Sequence, residues 1–292
     1  MVRCAGSRTV PTVSHYSIDG YSHTHLPIIL TSAMQSQDLE HFRTFGWVRV
    51  RRAFEAEAAA RMCDVIWKGL EASGIRRDDP STWTKTRPEH LQRLKSDPAF
   101  AAIGTARTHA AIRAVLEGQE LPLPKNWGAF FLHFPTGGVW DVPSSGWHMD
   151  GDYTGALQPP CGVLIHAMLN EVAPRAGGTA ILSGSHHLVH RWFKEHPPPP
   201  GARSAQLRRS LQRHPYLRDL SRASDPAARI ERFHVRVEHV DGIALQVLEN
   251  TAAAGDLILM HSLLLHAVPA AHLGSQPRFL LSSSVQVPYW RG

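Results

Sequence analysis

From Trp127 to the C-terminus the chain is a succession of short runs of β-forming residues, each closed by turn residues, and this grain limits its fold more than any other feature. The runs are WGAFFLHF (127–134), GVLIHAML (162–169), GTAIL (178–182), GIALQVL (242–248), GDLILMH (255–261) and RFLLSSSVQV (278–287), bounded by Gly, Pro, Asp or Asn. Runs of this length and spacing predict an antiparallel sandwich or barrel. The N-terminal third has a different period. A helix capped by Ser36 and ended near Gly46, a strand WVRV, and a helix with Met62, Val65, Ile66 and Leu70 on one face, stopped by Gly74, are expected, with a further helix from about Asp97 to Leu116.

These readings divide the chain into a leader (1–33), a helical part (34–125), a β core (126–186 and 237–292) and an insert (187–236). Met34 is a second candidate start. No apolar run suits a membrane span or a secretory signal, and the three cysteines (Cys4, Cys63, Cys161) are odd in number and far apart. The expectation is a cytoplasmic protein with reduced thiols and no membrane partner. The formal charge of +6 is concentrated in the insert, where eleven Lys or Arg face four acids, so the remainder sums to −1. HPPPPG (196–201) opens this basic stretch, and SAQLRRSLQRHPYLRDL (204–220) has the period of an amphipathic helix. Its arginines either attract an anionic small-molecule substrate or simply form a solvated helix face. Nucleic acid is not expected, because no ladder of stacking aromatics accompanies the charge.

The chemistry is concentrated around GWHMDGDY (146–153). A His-x-Asp/Glu triplet is expected by chance roughly one to two times in such a composition, and the chain has two. The second, His239-Val240-Asp241, runs into Asp241-Gly242, a hairpin turn signal, and is read as structural. On a strand, His148 and Asp150 point to one face and can share an ion. With a second histidine they would make the facial triad of a non-haem iron site, which leaves positions open for substrate and oxygen. His261 and His266 are the candidates. If they share a strand their spacing of five puts them on opposite faces, and both can equally be core histidines. Arg278 is expected to start the strand that returns from His266 as a hairpin, where its guanidinium could hold a carboxylate or solvate a strand end.

In this order, WHMD (147–150), LNEVAPRAGGTAILSGSH (169–186) and GDLILMHSLLLHAVPAAHLGSQPRF (255–279), preceded by LEHFRTFGWVRVRRAFEAEAA, resemble the phytanoyl-CoA dioxygenase family of Fe(II)/2-oxoglutarate oxygenases. The resemblance implies a mainly β fold with N-terminal helices, the core being a double-stranded β-helix, a jelly-roll barrel of the cupin type. It further implies His148, Asp150 and His266 as iron ligands, Arg278 on the carboxylate of 2-oxoglutarate, O2 as co-reactant, and hydroxylation of an aliphatic C–H of a small metabolite. Val268 stands where the family often has a hydroxyl residue, Ser183 where it has Pro, and Met149 where it has Gln. Asp150 fills the position that related halogenases keep small, so chlorination is not expected. Two other functions fit the residues alone: a non-catalytic metabolite-binding barrel, and a cupin-type metal enzyme that ignores 2-oxoglutarate. His133, Met149, Tyr153 and His166 are candidate pocket-lining residues.

Overall fold

Nine strands among the described residues form two antiparallel sheets in the computed structural model. It describes residues 34–286 apart from Glu89, His90, Glu120, Leu121, Lys125, Asp152, Thr154, Ala156, Pro200, Gly201, Arg203 and Ala270. The leader expected over 1–33 lies outside them. The first sheet orders its strands β1 (Trp47–Val50), β7 (Leu257–His261), β3 (Gly162–Met168), β9 (Arg278–Gln286) and β2 (Ala129–His133). The second orders β5 (Glu238–Val240), β6 (Ile243–Glu249), β4 (Ala180–Ser183) and β8 (His266–Ala267). Helices and paired antiparallel sheets are the double-stranded β-helix expected from the sequence. No helix among the described residues is long and apolar enough to cross a membrane.

Strand parity sorts the side chains into three layers. Val163, Ile165, Leu257, Leu259, Phe279, Leu281 and Leu132 leave the first sheet on its outer side and pack against α2 (Ala56–Glu71) and α3 (Ala106–Val115). Leu164, Met168, Ile258, Met260 and Leu280 point the other way and meet Ile181 and Leu264 between the sheets. Leu182, Leu245 and Val247 leave the second sheet outward, under the helices of the insert. Strands such as β3 are therefore buried on both faces, which is why GVLIHAML lacks a polar alternation.

The insert contains α4 (Ser185–Glu195), α5 (Ser204–Leu211), α6 (Pro215–Leu220), α7 (Pro226–Arg229) and a π-helical turn, Ile230–Val235. The single amphipathic helix expected over 204–220 is two helices, because Pro215 cannot donate to the previous turn and starts a new one. The helix expected from Asp97 to Leu116 is likewise two pieces, a 3₁₀ segment Pro98–Ile103 and α3, since the Thr105 hydroxyl accepts from Thr108 N at 3.0 Å and caps afresh. Helix α1 (Ser36–Phe45) begins one residue earlier than expected. Gln35 is its cap, with the Asp38 carboxylate accepting from Gln35 N at 2.9 Å, and Ser36 is already helical. The Asp241-Gly242 hairpin forms as read, both residues having positive φ.

The hairpin drawn from His266 to Arg278 does not form. His266 lies on β8 and pairs with Ile181 in the second sheet, whereas Arg278 begins β9 in the first and pairs with His133. The chain between them crosses from one sheet to the other, and Val268 through Pro277 is too long and too proline- and glycine-punctuated for a tight turn. Nor do His261 and His266 share a strand: the turn at 262–265 separates β7 from β8.

Candidate metal centre

His148 and His266 face each other as an antiparallel bridge. Each donates its backbone N–H to the other's carbonyl, at 3.0 and 2.9 Å, and the ring centroids are 4.3 Å apart. Parity carries the flanking Trp147 and Met149 outward, where they join the apolar layer under the insert; Met149 and Trp147 thus support the strand from behind. Asp150 follows two residues on, and Gly151 then passes so close to Ser262 that a Cβ would lie 2.5 Å from Ser262 Cβ. Glycine is required there for the segment to stay against 262–266.

The Asp150 carboxylate bridges the two rings, Oδ1 at 3.5 Å from His148 Nε2 and Oδ2 at 3.5 Å from His266 Nε2. One ligand atom from each of the three residues lies within 4.8 Å of the others. The Nδ1 atoms are engaged elsewhere: His148 Nδ1 bonds Gly146 O at 2.7 Å and His266 Nδ1 bonds Leu264 O at 3.1 Å. A carbonyl only accepts, so Nδ1 carries the proton in both rings. Two Nε2 lone pairs and a carboxylate then converge, an arrangement that repels itself unless a cation sits among them. Burial lowers the basicity of His148. This donor set fits a divalent metal of borderline hardness, with imidazole and carboxylate on one face. His266 is 7% exposed at its side chain and Asp150 41%, so the site opens on the carboxylate side.

Arg278 is buried in the same interior. Its Nη1 donates to Gly177 O at 2.7 Å and to the Thr179 hydroxyl at 3.3 Å, while Nε has no partner. No carboxylate pairs with it among the described residues. Burial, with the field of Arg87, pushes its pKa down to about 10. His166 faces the same interior, edge-on to His266 at 6.5 Å between centroids, and burial together with its charged neighbours takes its pKa down to about 3. His133 is also interior. His261, the rival third ligand, points outward by parity, toward Phe42 of α1. Its Nε2 bonds Leu157 O at 3.2 Å and its Nδ1 accepts from Leu263 N at 3.0 Å. Tyr153 packs on Phe193 of α4.

One buried arginine was not singled out by the sequence. Arg229 is 2% exposed, and its Nη2 donates to Val142 O, Pro143 O and Leu220 O at 3.0 to 3.1 Å, with Nε 3.4 Å from Asp141. It fastens the insert to the segment that leads into His148. Its only sequence signal was an arginine among ten, indistinguishable from its solvated neighbours. Two clefts, of about 520 Å³ beside His196–Arg213 and about 460 Å³ beside Cys63–Phe279, contain no triad residue; the converging donors locate the site, and cleft size does not.

No protein-family model matches the chain, and no curated protein matches it. Solved structures do. AviO1 from Streptomyces viridochromogenes Tue57 is similar over 89% of this chain and 97% of its own, at 15% identity and a TM-score of 0.50. HygX from Streptomyces hygroscopicus, solved with nickel and 2-oxoglutarate bound, covers 88% of both chains at 18% identity and a TM-score of 0.49. At these identities the likeness is one of fold.

Proposed function

We propose that this chain is an Fe(II)- and 2-oxoglutarate-dependent oxygenase of the phytanoyl-CoA dioxygenase type. Its metal ligands are His148, Asp150 and His266, and Arg278 holds the distal carboxylate of the keto acid. The observation that carries the reading is the convergence of two Nε2 atoms and one carboxylate, with both Nδ1 protons tied to main-chain carbonyls. A ferrous ion bound there supplies O2 activation, coupling oxidation of 2-oxoglutarate to succinate and CO2 with hydroxylation of an aliphatic C–H. The chain's own contributions are positional. The carbonyls of Gly146 and Leu264 fix the ring orientations, and Asp150 neutralises one of the metal's two charges. Arg278, buried without a carboxylate, gains its missing counter-charge from the cosubstrate.

The substrate is a small molecule carrying an anionic group. Supporting this, α5 lays Leu207 and Leu211 into the layer that holds Trp147 and Met149, and its exposed Arg208 is close enough to act on His148 electrostatically. Purified protein given Fe(II), 2-oxoglutarate and O2 should release succinate, slowly without substrate and faster with it. A screen of anionic and neutral candidates at low and high salt then reads the substrate class. The double variant His148→Ala/His266→Ala should lose both metal binding and succinate release; normal metal binding by that variant overturns the assignment.

A further inference from the structure

His133 ends β2 and pairs directly with Arg278, the first residue of β9, so parity turns both side chains into the same end of the interior. It is fully buried, and neither ring nitrogen makes a hydrogen bond. The Gly177 backbone lies near enough to favour the protonated ring but not in hydrogen-bond geometry with either nitrogen; its carbonyl accepts from Arg278 Nη1. Beside it His272, equally buried, stands edge-on at 5.3 Å between centroids. Gly177, with φ +77°, makes the room: a Cβ there would lie 2.6 Å from His272 Cδ2 and 2.9 Å from His133 Nδ1.

Buried polar atoms without partners are destabilising, and here His133 and Arg278 Nε are left unmet side by side. The local field explains what would meet them. Burial first, then Arg278, His272 and Arg87, drive the His133 pKa down to about 3, so at neutral pH the ring is uncharged and offers an N–H. The acid nearest in effect, Glu249, is already committed to the amides of Arg175 and Gly178 at 2.6 and 2.9 Å.

We infer that His133 is a binding residue for the distal carboxylate of 2-oxoglutarate, donating to it alongside Arg278; this inference rests on the function proposed above. The ring reads the far end of the keto acid and leaves the metal end untouched.

The test is calorimetric binding to the anaerobic Fe(II)-loaded protein, comparing 2-oxoglutarate with 2-oxopentanoate, which ends in a methyl group instead of the distal carboxylate. His133→Leu should weaken 2-oxoglutarate by about ten-fold or more while moving 2-oxopentanoate by less than about two-fold, and His133→Gln, which keeps an N–H, should recover much of the loss. Equal weakening of both keto acids, or of neither, overturns the inference. Failure of the underlying function looks different: wild-type protein, and Arg278→Ala with it, would then show no preference for 2-oxoglutarate over 2-oxopentanoate.

Discussion

His148 and His266 take their ring orientations from main-chain carbonyls two residues upstream, Gly146 O and Leu264 O, and not from side chains. The same local economy, a histidine satisfied by nearby backbone, holds His261 in a purely structural position. Burial pushes the His261 pKa down to about 4. The sign follows from that depression: the folded ring stays neutral while the unfolded one takes a proton, so its share of stability is intact above the unfolded value of 6.5 and is lost as pH falls toward 4. Chemical denaturation should therefore show His261→Gln losing less stability than wild type between pH 7 and pH 5, by about 2 kcal/mol. An unchanged pH dependence would mean that the ring titrates normally in the folded state. His261→Gln should also keep its metal, since the side chain faces α1.

At the scale of elements, the insert is bound to the core through Arg229. Arg229→Met leaves four carbonyls without their donor and Asp141 without its counter-charge, and should cost about 3 kcal/mol, with faster hydrogen exchange across 204–236. Arg209→Ala, on an exposed turn of α5, should stay within about 0.5 kcal/mol of wild type. Equal effects of the two variants would contradict the clamp. The strands were legible because each is short, rich in β-formers and closed by turn residues, and β3, buried on both faces, reads as a continuous apolar run. What could not be read was where the chain changes sheets. Periodicity within 255–267 is the same whether His261 and His266 share one strand or lie on two, so the hairpin to Arg278 looked natural and was wrong. Nor do charge counts distinguish a buried clamp such as Arg229, or the ion pairs of Arg232 with Asp219 and Glu238, from free surface charge, so the sequence leaves both readings of the basic insert open.

Residues 34–286 form a layered barrel with a partly polar interior. His148, Asp150 and His266 cluster in this interior, which Arg278 and His133 also enter, with His166 edge-on to His266. The helices of the N-terminal part cover the first sheet and the insert covers the second, so the two apolar layers keep water from both outer faces while the interior retains its polar residues. That polarity, costly unless met by ligands, is the physical link between fold and proposed chemistry. Its most direct test is anomalous diffraction at the iron edge from crystals grown anaerobically with Fe(II) and 2-oxoglutarate. The account predicts one strong peak bonded to His148 Nε2, His266 Nε2 and an Asp150 oxygen, with the keto acid reaching Arg278. A peak elsewhere in the molecule, or none between those three residues at full iron loading, would contradict it.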